Sequence, residues 1–304
     1  MVYDIAIIGG GAAGLNAALY GSRGGMKVAV FENTGFGGQI NYTYDVDNYL
    51  GIPDISGAEL AEKMRAHAAK YDCEFKNEGI REIKDIASPI KKLVTRKCVY
   101  EAKTVILATG AKPRKLGVMG EDEYAGAGVS YCATCDGAFS RGKTVAVIGG
   151  GNTAFEDALY LAGICKKVYI INRSAKFRAA KTLVDKAMAN PVIEILTDRR
   201  IEKIQGSPAV KSIVTAHSIS GRISVLDTDA VFVAIGRIPE SGLLAGAAEL
   251  AADGSVITDA SMRTSVPGIY AAGDVRTTPL RQIITAAADG AVAANSAIAY
   301  INSL

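Results

Sequence analysis

Residues 5–14 read Ile-Ala-Ile-Ile-Gly-Gly-Gly-Ala-Ala-Gly, and residues 145–154 read Val-Ala-Val-Ile-Gly-Gly-Gly-Asn-Thr-Ala. Each run begins with four apolar residues, the pattern of a strand buried on both faces, and then breaks into glycines. After each turn comes a helical stretch, Ala18-Leu19-Tyr20 in the first copy and Ala158-Leu159-Tyr160 in the second, exactly in step at an offset of 140 residues. Each copy closes on another apolar strand, Val28 to Phe31 and Val168 to Ile171. A further matched pair, Val105 to Pro113 and Val231 to Pro239, ends its strand at Gly110 and at Gly236. Self-similarity on this scale predicts two dinucleotide-binding units in one chain.

The remainder of the 304 residues bounds the function. A 49% hydrophobic and 21% charged composition is that of a globular chain, long enough for two cores. The net charge of +3 is spread in ones and twos, with no basic stripe interleaved with aromatics, so nucleic acid is not an expected partner. Five cysteines are too few and too odd in number for a secreted disulfide framework, and a reducing, cytoplasmic setting is expected. Ile5 to Tyr20 lacks a basic leader and is broken by glycines. Asp289, Asn295 and Asn302 interrupt the apolar stretch 283–304, so no membrane partner is expected either.

In the first unit, Gly9 permits the tight turn, Gly11 lets the backbone approach a pyrophosphate, and Gly14 packs helix on strand, with the helix N-terminus facing the phosphates. Glu32 follows the last glycine by 18 residues, near the spacing that places a carboxylate on a ribose diol. That combination suits FAD or NAD. The second unit has Gly149, Gly151, Asn152, Thr153 and, in the third glycine's place, Ala154, which predicts a slightly wider helix–strand separation. At the position of Glu32 it carries neutral Asn172, followed by Arg173 and Arg178. A carboxylate would repel a 2′-phosphate and arginines attract one, so the second unit suits NADP. The expected architecture is α/β, with two Rossmann-like, three-layer domains, the second inserted into the first. The first is expected over 1–114 and 242–304 and the second over 115–241. A strand near 268–272 ending in Gly273-Asp274, and a helix from about Leu280, complete the first domain.

Cys132-Ala133-Thr134-Cys135-Asp136 precedes the second unit's first strand. Two cysteines three apart in a helical turn lie close enough for a disulfide. A helix N-terminus favours the thiolate, and Asp136 is placed to move the proton that thiol chemistry requires. Redox chemistry, a structural disulfide and half of a zinc site are the three readings of such a pair. Zinc requires a second pair, and Cys73, Cys98 and Cys165 are isolated.

Taken together, Gly9-x-Gly11-x-x-Gly14, Gly37-Gly38-Gln39, the cysteine motif, Gly149 to Ala154 and Ala271-Ala272-Gly273-Asp274 resemble the low-molecular-weight thioredoxin reductases over essentially the whole chain. The resemblance implies a homodimeric FAD enzyme that passes electrons from NADPH through flavin to the cysteine pair and on to thioredoxin or a thioredoxin-like protein. It implies FAD contacts from Glu32, Gly37, Gly38, Gln39, Asn48, Gly273, Asp274, Val275, Arg281 and Gln282. It implies Cys135 as the flavin-side sulfur, Cys132 as the sulfur that attacks the acceptor, and Asp136 as acid/base. The family's His-Arg-Arg-x-x-x-Arg phosphate clamp stands here as Asn172-Arg173-Ser174-x-x-x-Arg178, one arginine short, which implies a weakened preference for NADPH. A ferredoxin- or flavodoxin-dependent relative would show a degraded nucleotide turn. A glutathione-reductase-like enzyme would carry its cysteines soon after Gly14, where there are none before Asp72. A flavin-binding scaffold without activity would not need the cysteine motif.

Overall fold

The computed structural model describes residues 1–43 and 46–304. The chain divides into two compact units, one of Met1–Lys112 with Ile238–Leu304 and one of Pro113–Arg237.

The first unit is built on β1 (Val2–Ile8), β2 (Val28–Phe31), β3 (Glu74–Lys76), β4 (Glu82–Lys84), β5 (Lys91–Val94) and β6 (Val99–Leu107), with α1 (Ala12–Arg23) after β1 and α2 (Gly57–Ala68) before β3. A short strand, β7 (Ala111–Pro113), leads the chain out. The second unit holds β8 (Val129–Ser130), the single-turn helix α3 (Ala133–Asp136), β9 (Thr144–Ile148), α4 (Asn152–Ala162), β10 (Lys167–Ile171) and α5 (Lys181–Met188). It continues through β11 (Ile193–Leu196), β12 (Arg199–Gly206), β13 (Val210–His217), β14 (Ile223–Asp227) and β15 (Ala230–Val233). Strand β16 (Arg237–Pro239) brings the chain back, and β17 (Ile269–Ala271) and α6 (Ile283–Ile301) finish the first unit.

In the first unit the strand order is β3-β2-β1-β6-β5-β4, with β17 also on β6. Strands β1, β2, β3, β6 and β17 run parallel and β4 and β5 antiparallel. Registers Ile8↔Phe31, Ile8↔Leu107 and Ala271↔Leu107 bring the carboxyl ends of four strands to one level, the edge at which ligands bind in such sheets. Alternate residues of the strands feed a core on each face of the sheet, Ile5, Ile7, Val28, Val30 and Ile106 on one, Ala6, Ile8, Phe31, Val105 and Leu107 on the other. Helix α6 is long and apolar enough to cross a membrane by composition. Ala293, Ala294 and Ala297 are fully buried against the α1 side of the core, and a Cβ at Gly290 would run into the Ala13 carbonyl. Small residues let the two helices approach closely. The helix begins at Ile283 rather than near Leu280, because Thr285 Oγ1 accepts the Gln282 N–H and fixes the cap.

In the second unit an all-parallel sheet, ordered β11-β10-β9-β15-β8, is joined by an antiparallel sheet, β12-β13-β14. The 199–227 segment yields the latter without any motif that announces it. Ile148 pairs with Ile171 and Val233, and Ser130 with Phe232, so this sheet too has a level carboxyl edge.

Candidate functional site

At the first unit's carboxyl edge, Gly9 adopts φ +110°, and a Cβ there would strike the Ala108 carbonyl. A Cβ at Gly14 would strike the carbonyl of Gly9, so the helix packs on the turn only because both lack side chains. Gly11 has nothing nearer to its would-be Cβ than a carbonyl 3.9 Å away, which leaves the backbone approachable. Glu32 accepts from the N–H groups of Gly10 (2.8 Å), Asn33 (2.7 Å) and Thr34 (2.7 Å), and from the Thr34 hydroxyl (2.9 Å). Its carboxylate is thereby locked at the end of β2.

The turn 37–38 is attached to the same place through Gly37 N–H to the Gly10 carbonyl (2.7 Å), with both glycines at positive φ. Gly273 also has positive φ, at the end of β17, and its Cβ would lie 3.1 Å from that of Ala13. Asp289 of α6 accepts from Gly273 N–H (3.1 Å) and from Arg276 Nη1 (3.0 Å), which supports the turn bearing Asp274 and buried Val275. Asn48 Nδ2 donates to Gln282 Oε1 (3.1 Å) across 234 residues of sequence. Gln39 follows the glycines in a short 3₁₀ turn. Arg281 Nε is buried with no hydrogen-bond partner. A buried orphan donor, an open glycine and a fixed carboxylate fit FAD.

In the second unit, Gly149 has positive φ and α4 starts from Gly151, whose would-be Cβ faces open space. Ala154 is fully buried, and Asn152 and Thr153 are exposed in the first helical turn. Asn152 Oδ1 accepts from Ala180 N–H (2.8 Å), and the Gly150 carbonyl accepts from Arg178 N–H (2.7 Å), so the 173–180 loop is tied to the glycine turn. Asn172 is buried, and its Nδ2 donates to the carbonyls of Ser174 (2.7 Å) and Lys176 (3.0 Å). The loop therefore presents carbonyls where the first unit presents N–H groups to Glu32. A carboxylate at 172 would meet oxygen. Arg173 and Arg178 are exposed on this tied loop.

Cys132 and Cys135 are disulfide-bonded, with Cα atoms 5.3 Å apart. Helix α3 is one turn only. Cys132 stands outside it in an extended conformation, where the sequence suggested both cysteines within a helical turn. The cause is Ser130, whose Oγ accepts the Cys132 N–H (3.1 Å) and holds the segment extended. The same hydroxyl lies 2.5 Å from Asp136 Oδ2. Burial pushes the Asp136 carboxyl up from its ordinary value, and the Ser130 hydrogen bond partly offsets this. Next along the chain, the Tyr131 hydroxyl donates to Glu121 (2.9 Å), which also accepts two backbone N–H groups. Sequence reasoning missed Ser130, Tyr131, Glu121 and Asp289. Only the short spacing of Ser130 from the cysteines signals it. The thiols of Cys73, Cys98 and Cys165 are free, and burial pushes that of Cys73 up to about 12, away from reactivity. Among the described residues, no group of three or more His, Cys, Asp or Glu could hold a metal ion.

The sequence matches the family described as Pyridine nucleotide-disulphide oxidoreductase over residues 3–290. It is 44% identical to a thioredoxin reductase of Peptoclostridium acidaminophilum, over 99% of this chain and 98% of that one. The fold is similar to the crystal structure of thioredoxin reductase from Streptococcus pyogenes MGAS5005, with a TM-score of 0.94, 42% identity, and coverage of 100% of this chain and 99% of that chain. It is also similar to a ferredoxin-flavin thioredoxin reductase from Clostridium acetobutylicum, with a TM-score of 0.55, 33% identity, and coverage of 100% and 98%. Full-length matches at this identity, on a fold with two open glycine turns and one bonded cysteine pair, mean that this chain belongs to the pyridine nucleotide-disulphide oxidoreductase family.

Proposed function

We propose that this chain is a thioredoxin-disulfide reductase, taking two electrons from NADPH and delivering them through FAD and the Cys132–Cys135 pair to a thioredoxin-like protein. The observation that carries this is the bonded pair at the end of β8, on the same carboxyl edge of one parallel sheet as the Gly149–Gly151 turn, whose last glycine faces open space. When bound, the flavin links a hydride donor to a pair of sulfurs.

The chain's own residues do the rest. The backbone of Gly9–Gly14 would receive the FAD pyrophosphate and Glu32 a ribose, and Asn48, Arg281 and Gln282 would also contact the FAD. In the second unit the Gly149–Ala154 turn would receive the NADPH pyrophosphate, and Arg173 and Arg178 the 2′-phosphate. Two electrons break the Cys132–Cys135 bond and leave two sulfurs that share their protons with Asp136. Cys132 then bonds to one sulfur of the acceptor disulfide as that disulfide breaks, and the leaving sulfur takes the proton from Asp136. Cys135 attacks Cys132, restores the intramolecular bond and releases the acceptor as a dithiol. A cytoplasmic homodimer completes the proposal, and sedimentation at about twice 31.7 kDa checks the dimer.

Anaerobic titration of the flavin-loaded protein tests this reading. NADPH bleaches the flavin and oxidised thioredoxin restores it, with NADPH favoured over NADH by about tenfold to a thousandfold in kcat/KM at roughly 1.4 kcal/mol per decade. Cys135→Ser keeps bleaching by NADPH and stops thioredoxin reduction. Cys132→Ser leaves Cys135 beside the flavin and gives a thiolate-to-flavin charge-transfer absorbance. Flavin that neither nucleotide bleaches, but reduced ferredoxin does, replaces the NADPH reading with a ferredoxin-dependent one.

A further inference from the structure

The hydroxyl of Ser130 joins three groups that disulfide exchange requires to move together. Ser130 ends β8 and is only 8% exposed. Its Oγ accepts from Cys132 N–H at 3.1 Å, and its single hydrogen has two acceptors in range, Asp136 Oδ2 at 2.5 Å and the Cys132 carbonyl at 3.3 Å. A hydroxyl donates once, so the hydrogen goes to the nearer, ionisable oxygen. Asp136 N–H in turn donates to the Cys132 carbonyl at 3.1 Å. The result is a closed ring of hydrogen bonds from the backbone of the attacking cysteine through one serine to the carboxylate and back. Between Ser130 and Cys132, Tyr131 is tied to Glu121 through its hydroxyl.

We infer that Ser130 is a positioning residue for thiol–disulfide exchange: it fixes the Asp136 carboxyl relative to Cys132 and holds that carboxyl in its proton-accepting form. The inference rests on the reading of Asp136 as acid/base. Helix α4, which packs against α3, carries Glu156 and Asp157, and Arg141 follows the turn after α3. Asp157 is itself held up to about 6 by burial. None of the three shifts Asp136, whose two influences are burial first and the Ser130 hydrogen bond second. Exchange needs one proton on the Cys132–Asp136 pair. The low-pH limb of its rate therefore tracks the first ionisation of the pair, and a hydroxyl donating to the carboxylate lowers that ionisation.

The test is a single-turnover reaction between dithiothreitol-reduced, FAD-loaded protein and oxidised bacterial thioredoxin, followed by acid quench and thiol labelling from pH 5 to 9, which needs no nucleotide. Ser130→Ala and Ser130→Gly both remove the hydroxyl. Each is expected to move the low-pH limb upward by about one pH unit, the size of one hydrogen bond to a charged group. Each is also expected to slow exchange at pH 7 roughly threefold to tenfold. Ser130→Thr keeps the hydroxyl and is expected to keep the limb at its wild-type position, and FAD content and circular dichroism report folding of each variant. Asp136→Asn is expected to slow exchange and to move the limb up to the ionisation of the Cys132 thiol alone. A limb unmoved in the alanine and glycine variants, while Asp136→Asn moves it, overturns the role of Ser130 and leaves Asp136 standing. Asp136→Asn with an intact limb and rate overturns both.

Discussion

Glu32 and Asn172 occupy the same place in the two copies and sit in turns of opposite polarity. Glu32 is surrounded by donors, the N–H groups of Gly10, Asn33 and Thr34. Asn172 is surrounded by acceptors, the carbonyls of Ser174 and Lys176. Each side chain has the polarity its own turn demands, so the absence of a carboxylate at 172 is a packing requirement. Arg173 and Arg178 then stand on a tied loop. On the proposed reading each exposed arginine would contribute about 1–2 kcal/mol to holding a 2′-phosphate, after discounting a charged hydrogen bond for solvent. Arg173→Ala or Arg178→Ala is expected to raise KM for NADPH roughly fivefold to thirtyfold and to leave NADH kinetics nearly unchanged, as steady-state assays with each nucleotide will show. The effect shrinks as salt is raised from 50 to 500 mM, because the charges are exposed.

At the scale of elements, the Gly273–Val275 turn depends on a helix that begins eight residues later. Asp289 of α6 caps Gly273 and pairs with Arg276, and the two side chains are 14% and 13% exposed. Removing one partner of a buried pair leaves the other uncompensated, at a cost of about 3–5 kcal/mol. Asp289→Ala is expected to lower thermal stability by that order and to release FAD, and Asp289→Asn to recover part of both because its oxygen still accepts from Gly273. Flavin absorbance and thermal denaturation measure the two effects together. The sequence marked Asp289 only as an interruption in an apolar run. Its partners lie 13 and 16 residues back, at spacings that no helical or strand period connects.

At the scale of the molecule, each unit carries its own nucleotide turn and its own core. A ligand that binds only the folded state stabilises it by about 2.7 kcal/mol at a hundred times its Kd. Units of this size gain about 2–4 °C per kcal/mol, so saturating FAD is expected to raise the unfolding temperature of the first unit by roughly 5–10 °C. NADP⁺ is expected to act on the second. Scanning calorimetry with each ligand alone separates the two, and a single transition raised equally by either ligand contradicts independent sites.

The parts legible in the sequence are those governed by local rules. A turn that must reach positive φ at Gly9 and Gly149 needs glycine there, and a strand buried on both faces must be apolar throughout, so the repeat, the parallel sheets and the two nucleotide turns could be read directly. Cysteines three apart lie within reach of a bond, but that spacing left half of a zinc site open beside it, and it did not foresee Cys132 extended outside the helix. The tertiary structure alone decided which polar groups meet: Asn48 with Gln282, Asp289 with Gly273, Asn172 with the carbonyls of its own loop, and Ser130 with both Asp136 and the backbone of Cys132. A polar side chain's partner is whichever donor or acceptor folding buries beside it, and that proximity is set by the packing of whole elements rather than by spacing along the chain.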